Sequence, residues 1–153
     1  MLESIQIRPL TKRRLTGELY TRDPKIEERL GELSAMSRDE LIERVSVSRR
    51  NDLNYVPSEC LVYFIRNSRE DNTEVWFERL FKILAERVLR ALPREGVGGG
   101  KTASLTNLAI RDGVFGRFVE LLSMDRKSGS DKLDYFEIRF DGALASFVPR
   151  QRP

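Results

Sequence analysis

The chain has 153 residues, with 27 Lys and Arg against 24 Asp and Glu, no His and one Cys, a size at which one domain buries its own core without metals or disulfides. A lone Cys60 excludes an intrachain disulfide, the lack of His removes the usual general base near neutral pH, and the longest apolar run, residues 61–65, is far short of the ~20 residues that cross a bilayer. With no basic-then-apolar leader, the expectation is a non-membrane protein of a reducing cytoplasm, with no metal or cofactor and no catalytic activity.

Charge is unevenly placed. Residues 1–22 carry five basic side chains (Arg8, Lys12, Arg13, Arg14, Arg22) and two acidic ones (Glu3, Glu18), which accounts for the whole net charge of +3 and leaves the rest neutral. Residues 1–23 lack a helical period and contain Pro9 and Gly17, so they read as an irregular basic arm with one short extended piece at residues 5–7. Such an arm either neutralises phosphates through Arg8, Lys12, Arg13 and Arg14 or is a solvated terminus.

From Pro24 to residue 148 the pattern is helical, and residues 149–153 form a tail. Asp23 before Pro24 suits a helix start, with Ile26, Leu30 and Leu33 on one face. Ser37 and Glu40 form a capping box, in which hydroxyl and carboxylate each satisfy a backbone N–H, ahead of Leu41, Ile42 and Val45. A polar connection over residues 46–54 leads to a third helix at Pro57 and Ser58, with Cys60, Leu61, Phe64 and Ile65 on one stripe. The Asp71-Asn72-Thr73 cap opens a fourth helix, residues 73–92, whose Trp76, Phe77, Leu80, Phe81, Leu84, Val88 and Leu92 are expected to form the centre of the core. On its opposite side Glu78 and Lys82, and Glu86 and Arg90, are spaced for surface ion pairs.

Pro93 and Gly96, Gly98, Gly99 and Gly100 then read as a loop. The fifth helix, residues 105–125, carries one stripe of Leu105, Leu108, Phe115, Phe118 and Leu122 and a second of Ile110, Val114 and Leu121, so it should be sandwiched or face a partner. After a turn at Gly129, Asp131 opens a last helix, residues 131–147, with Leu133, Phe136, Phe140, Leu144 and Phe147 inward and Pro149 as its stop. Tyr135 lies off that stripe, where it is free to stack on an unpaired base. The last helix has two basic residues, Lys132 and Arg139, against Asp131, Asp134, Glu137 and Asp141, a net of −2 that should repel phosphates.

Two chemical motifs fail on inspection. Gly98-Gly99-Gly100-Lys101-Thr102 suggests a phosphate-cradling loop, but Glu95 stands where the first Gly belongs and a helix precedes it instead of a strand, which favours an interhelical linker. Cys60 sits on an apolar stripe with no basic neighbour and reads as core.

The wording Leu61-Val62-Tyr63-Phe64-Ile65-Arg66, an acidic turn, and then Trp76-Phe77-Glu78-Arg79-Leu80-Phe81 running to Arg87-Val88-Leu89-Arg90 resembles the opening helices of region two in bacterial RNA-polymerase sigma factors. The segment from Ile110 to Phe118 resembles that family's polymerase-binding helix, and residues 133–144 the start of its promoter-melting helix. The resemblance implies an all-α multi-helix bundle that binds RNA polymerase core, and DNA as a further partner, without catalysis. It assigns docking to Arg111, Asp112, Val114, Phe115 and Arg117, and strand contact to Lys132, Tyr135 and Arg139. Asp112 and Gly113 depart from the family's Gln and Glu, and the chain ends before its helix-turn-helix domain, which implies a truncated or divergent member. The alternative is a helical interaction module, such as an adaptor, accessory subunit or inhibitor, without nucleic-acid binding. The oligomeric state is open in both readings.

Overall fold

Local chemistry decides where the helices begin. In the computed structural model, which describes residues 6–69, 74–92 and 101–149 (side chains of the last segment from Leu105 onward), helix α1 spans Pro24–Ser34, with Pro at its first position and the Asp23 carboxylate accepting from the Lys25 N–H. Helix α2, Arg38–Val45, starts at Ser37, whose hydroxyl accepts from the Glu40 N–H at 3.2 Å. The hydroxyl half of the capping box therefore forms, while among the described residues the Glu40 carboxylate makes no return bond. Helices α3 (Ser58–Asn67), α4 (Glu74–Ala91), α5 (Lys101–Ser128) and α6 (Phe140–Ala145) follow, with a 3₁₀ turn at Asp134–Glu137. The protein is thus an all-α multi-helix bundle, without a strand among the described residues. None of these helices is long and apolar enough to cross a membrane. The cap at residues 71–73 and the loop and glycine motif over residues 93–100 lie outside the described residues.

The centre of the core is α3, and not α4 as the seven-residue apolar face suggests. Cys60, Leu61, Val62, Tyr63 and Ile65 are all buried, nearly all round the helix, the state expected of a helix enclosed by its neighbours. Helix α4 packs on it with Trp76, Leu80, Leu84, Val88 and Leu92 buried, and α1, α5 and the 3₁₀ turn close the other sides. Phe77 and Phe81 are half-buried at the edge of the α4 face, stacked with ring centroids 5.9 Å apart. The surface pairs Glu78 with Lys82 and Glu86 with Arg90 do not close among the described residues, and all four side chains stay solvated, as suits pairs worth only ~0.3–0.5 kcal/mol.

Of the two arrangements expected for α5, sandwiched or facing a partner, the first is not met, since the described bundle does not enclose the helix on both sides. Its inward face is Val114, Phe118, Leu121, Leu122 and the carboxylate of Asp125, and between Leu105 and Gly113 no residue is buried, with Leu105 66% exposed. The helix ends at Gly129, whose φ of +78° is open to glycine. A Cβ there would stand 2.7 Å from Nη1 of Arg69, and that guanidinium donates to the Asp125 carbonyl of the last turn.

The single last helix over residues 131–147 is also corrected. The chain makes the 3₁₀ turn Asp134–Glu137, extends at Arg139 (φ −145°, ψ 86°) and restarts as α6, where the Glu59 carboxylate of α3 accepts the Phe140 N–H at 2.8 Å. Leu133, Phe136, Phe140 and Leu144 are buried as the stripe requires. The inward residues are right and the helix between them is broken, because Glu59 holds the Phe140 N–H and Arg66 and Arg22 hold Asp134 and Glu137, against helix propensity.

The N-terminal segment is irregular, as expected, yet it packs on the bundle. Leu10 and Arg22 are buried, and residues 12–20 fold back on themselves with an Arg13–Leu19 bridge around Gly17 (φ +91°). Of the short extended piece at residues 5–7, Ile5 lies outside the described residues and Ile7 is not in a strand.

Cys60 is fully buried, and burial pushes its thiol up to about 12, with Glu59 adding to the shift. Since the thiolate is the reactive form, a thiol-specific disulfide reagent at pH 8 is expected to leave the native protein unmodified and to label it only as fast as it unfolds. Prompt labelling of the native chain would contradict this packing.

Candidate nucleic-acid interface

The site is built on a buried ion network. All five N–H groups of Arg66, on the last turn of α3, are engaged: Nε and Nη2 fork onto the Asp125 carboxylate at 3.3 and 3.1 Å, Nη1 donates to Asp134 at 3.0 Å and to Glu137, and Nη2 also reaches the Ser130 carbonyl at 2.8 Å. Arg22, from the N-terminal segment, donates to the other Glu137 oxygen at 2.8 Å, to Glu27 at 2.9 Å and to the Arg8 carbonyl. Asp134 (1% exposed) spends its second oxygen on the backbone N–H groups of Thr11 and Lys12, both at 2.8 Å. Removing these charges from water is expensive, and only this degree of hydrogen bonding offsets it.

The charge state of the network follows from its stoichiometry. Burial works against the Arg66 guanidinium, but Glu137, Asp125 and Asp134 outweigh it and hold it above its ordinary value. Burial also pushes the Glu137 carboxyl up, against the pull of Arg22 and Arg66. Three buried carboxylates face two guanidiniums, and Glu137, only 2% exposed, owes its upward shift to that burial. A cleft of about 290 Å³ lies over the network between Arg8, Asn67 and Asp131.

By fixing Lys12 against Asp134, the network sets the N-terminal segment beside Tyr135, the next residue of the 3₁₀ turn. The result is a shallow groove of about 220 Å³ whose charged and aromatic walls are Lys12, Arg117, Lys132, Tyr135 and Phe147, over a floor of Leu121 and Phe136. Among the described residues no carboxylate lines it. Tyr135 is 37% exposed and meets Tyr20 edge to face at 6.4 Å, and the Arg14 guanidinium lies 4.8 Å over the Tyr20 ring. Arg117 sits 5.9 Å over the Phe147 ring and 3.9 Å from Glu120 at the rim. Cations beside exposed aromatic faces are chemically able to hold an unpaired strand, phosphates on the cations and bases on the rings.

This arrangement brings together residues that the sequence assigned to separate roles. Lys12, Lys132 and Tyr135, the strand candidates, share the groove with Arg117, a docking candidate, while Arg14 extends the same face through Tyr20. Arg13 is exposed and donates to the Gly17 carbonyl, and Arg8 lies over the ion network. Arg139 is exposed at the start of α6 and does not line the groove. Among the docking candidates, Asp112 and Arg117 face solvent. Val114 is 2% exposed, within the core, and cannot meet a partner. Phe115 is half-buried against the core, and Arg111 is tied to α4 by a bond to the Leu89 carbonyl.

The net −2 of residues 131–147 also reads differently in three dimensions. Asp134 and Glu137 are buried and answered by Arg66 and Arg22, so the exposed charges there are Lys132 and Arg139 against Asp131 and Asp141, two against two, and Asp141 is itself paired with Arg50. The repulsion expected for phosphates is not present at the groove. Compared with protein-family models, curated proteins and solved structures, the chain matches none of them.

The sequence reading missed Arg22, Arg66, Asp125, Asp134 and Glu137 as a unit. One signal was available: Asp125 falls three and four residues after Leu122 and Leu121, in phase with the buried stripe of α5, where a carboxylate needs a partner.

Arg66→Met leaves three buried carboxylates short of a partner and is expected to cost about 3–5 kcal/mol, seen as a fall in Tm of roughly 6–20 °C for a chain of this size. The exposed Arg79, 3.5 Å from Asp39, is the control: Arg79→Ala should change stability by less than about 0.5 kcal/mol. Equal thermal shifts for the two variants would contradict the weight given to the network.

Proposed function

We propose that this protein is a non-catalytic, sigma-like transcription protein that binds RNA polymerase core and holds a single strand of DNA in the groove of Lys12, Arg117, Lys132, Tyr135 and Phe147. The observation that carries the reading is that groove: cations from three separate segments converge beside an exposed tyrosine, with no carboxylate among the described lining residues. Its support from the sequence is the resemblance of residues 61–90, 110–118 and 133–144 to sigma region two. The exposed part of the polymerase contact is Asp112 and Arg117 on the outer side of α5, with Phe115 reachable at its edge. Arg117 stands where the two partners would meet.

The mechanism asks for binding alone. A strand entering the groove would exchange its counterions for Lys12, Arg117 and Lys132, which makes the affinity salt-dependent, and a base laid on Tyr135 would add a contact that is indifferent to sequence. The rival reading, a helical interaction module without nucleic acid, draws on the solvent-facing first half of α5, where Leu105 is exposed.

Fluorescence anisotropy with a labelled single-stranded oligonucleotide separates the two. Three phosphate contacts give a slope of log affinity against log salt of about −2. Tyr135→Ala is expected to weaken binding by about 1–3 kcal/mol, and Lys132→Glu to weaken it and flatten the slope. Capture of core polymerase at low salt, reduced by Arg117→Glu, completes the sigma-like reading. Polymerase capture without salt-sensitive strand binding would leave the interaction module, and failure of both would overturn the proposal.

A further inference from the structure

A second basic site lies where the connection after α2 and the start of α3 meet α4 and the start of α6. Arg87, in the interior of α4, is only 8% exposed, and no carboxylate lies within ion-pair distance of it among the described residues. Its guanidinium donates to the carbonyls of Val56 at 2.6 Å and Val45 at 2.9 Å and to the Ser58 hydroxyl at 3.2 Å, and it lies 4.6 Å over the Tyr55 ring. The two carbonyls and the C-terminal end of α2 explain how a positive charge is tolerated there. They do not explain why two more arginines, Arg50 and Arg90, stand at the same cleft, which has a volume of about 260 Å³ and also presents Ser48.

Like charges repel, and in a folded chain without a ligand this convergence is unfavourable. Burial lowers the affinity of Arg87 for its proton, and the fields of Arg90 and Arg50 lower it further, against the opposing pull of Tyr55. Asp141, the sole carboxylate among the described residues that line the cleft, is taken up by Arg50 in an exposed two-point pair at 3.0 and 3.4 Å. Glu59 acts on Arg50 from nearby, but its carboxylate is occupied in capping α6. The cleft therefore holds a guanidinium fixed in place, two exposed ones at the mouth, and hydroxyls as additional donors. Arg50 is held by a carboxylate that a stronger anion can displace.

We propose that this cleft is a binding site for a phosphate-type oxyanion, held by Arg87 at the back and by Arg90 and Arg50 at the mouth, with the Arg50–Asp141 pair acting as the competitor that the anion replaces. Guanidinium groups match the oxygens of a phosphate in paired hydrogen bonds. The volume falls just below the ~300–1,000 Å³ of pockets for larger ligands, which suits inorganic phosphate or the phosphoryl group of a small ester. The site is separate from the groove of Lys132 and Tyr135, since the two share no lining residue.

Calorimetric titration of the full chain with inorganic phosphate, at constant ionic strength in chloride, tests it. Saturable one-site binding is expected. Arg90→Ala, at an exposed position of α4, should raise Kd roughly tenfold through loss of one charged hydrogen-bonding group. Asp141→Asn should lower Kd by up to about fivefold, because an exposed ion pair of that worth no longer has to be displaced. Lys132→Glu should leave phosphate binding unchanged. Arg87→Met is the direct variant; should it fail to fold, Arg90→Ala and Asp141→Asn decide the matter between them. A response that does not saturate, or affinity unmoved by both of those variants, would overturn the proposal, and neither result bears on strand binding at the groove.

Discussion

One guanidinium governs how this chain comes together. Arg66 leaves the end of the most buried helix and meets carboxylates from α5 and from both ends of the 3₁₀ turn, so α3 is tied at a single point to two later segments far from it in sequence. The apolar core would gather the helices without it, since burial is non-directional. It would not specify that Asp134 turns inward, that the chain breaks before α6, or that the N-terminal segment lies along the turn. Those choices are made by hydrogen bonds, which have direction, and they are enforced because an unpartnered buried carboxylate is so unfavourable.

The consequences run outward from that point. Asp134 accepts from the Thr11 and Lys12 amides, which sets the Lys12 side chain facing Lys132 and Tyr135. Arg22 repeats the arrangement at Glu137 and binds the carbonyl of Arg8. A segment whose basic residues look from their order like a loose tail is thereby folded into one wall of a groove, and the turn that bears Tyr135 forms the other. Two of the four acidic residues of 131–147, Asp134 and Glu137, turn inward onto Arg66 and Arg22. The cations and rings of the groove stay outside.

The sequence made the helices legible and left the ionic architecture hidden. Asp23 with Pro24, the Ser37 hydroxyl, and the apolar stripes of α3, α4 and residues 133–147 announce themselves by local chemistry and period, which act within a turn or two of chain. The break at residues 138–139 and the burial of Val114 depend on partners dozens of residues away, and so does the central place of α3. Val114 and Phe115 are neighbours in a resemblance-based docking set, yet the helix turns one into the core and leaves the other at its edge. Tyr135 was visible because it falls out of phase with its stripe. Arg87 was not, although its position three residues after Leu84 places a charge on the buried face of α4 and could have marked it.

The dependence of the groove on the ion network is tested most directly by amide hydrogen exchange at Thr11 and Lys12 in the native protein and in Asp134→Ala. If Asp134 holds this segment, both amides exchange slowly in the native chain and become fast together in the variant, while the amides of α3 remain protected. Fast exchange at Thr11 and Lys12 in the native protein, or slow exchange that survives loss of the carboxylate, would show that the segment is not held in place by the network.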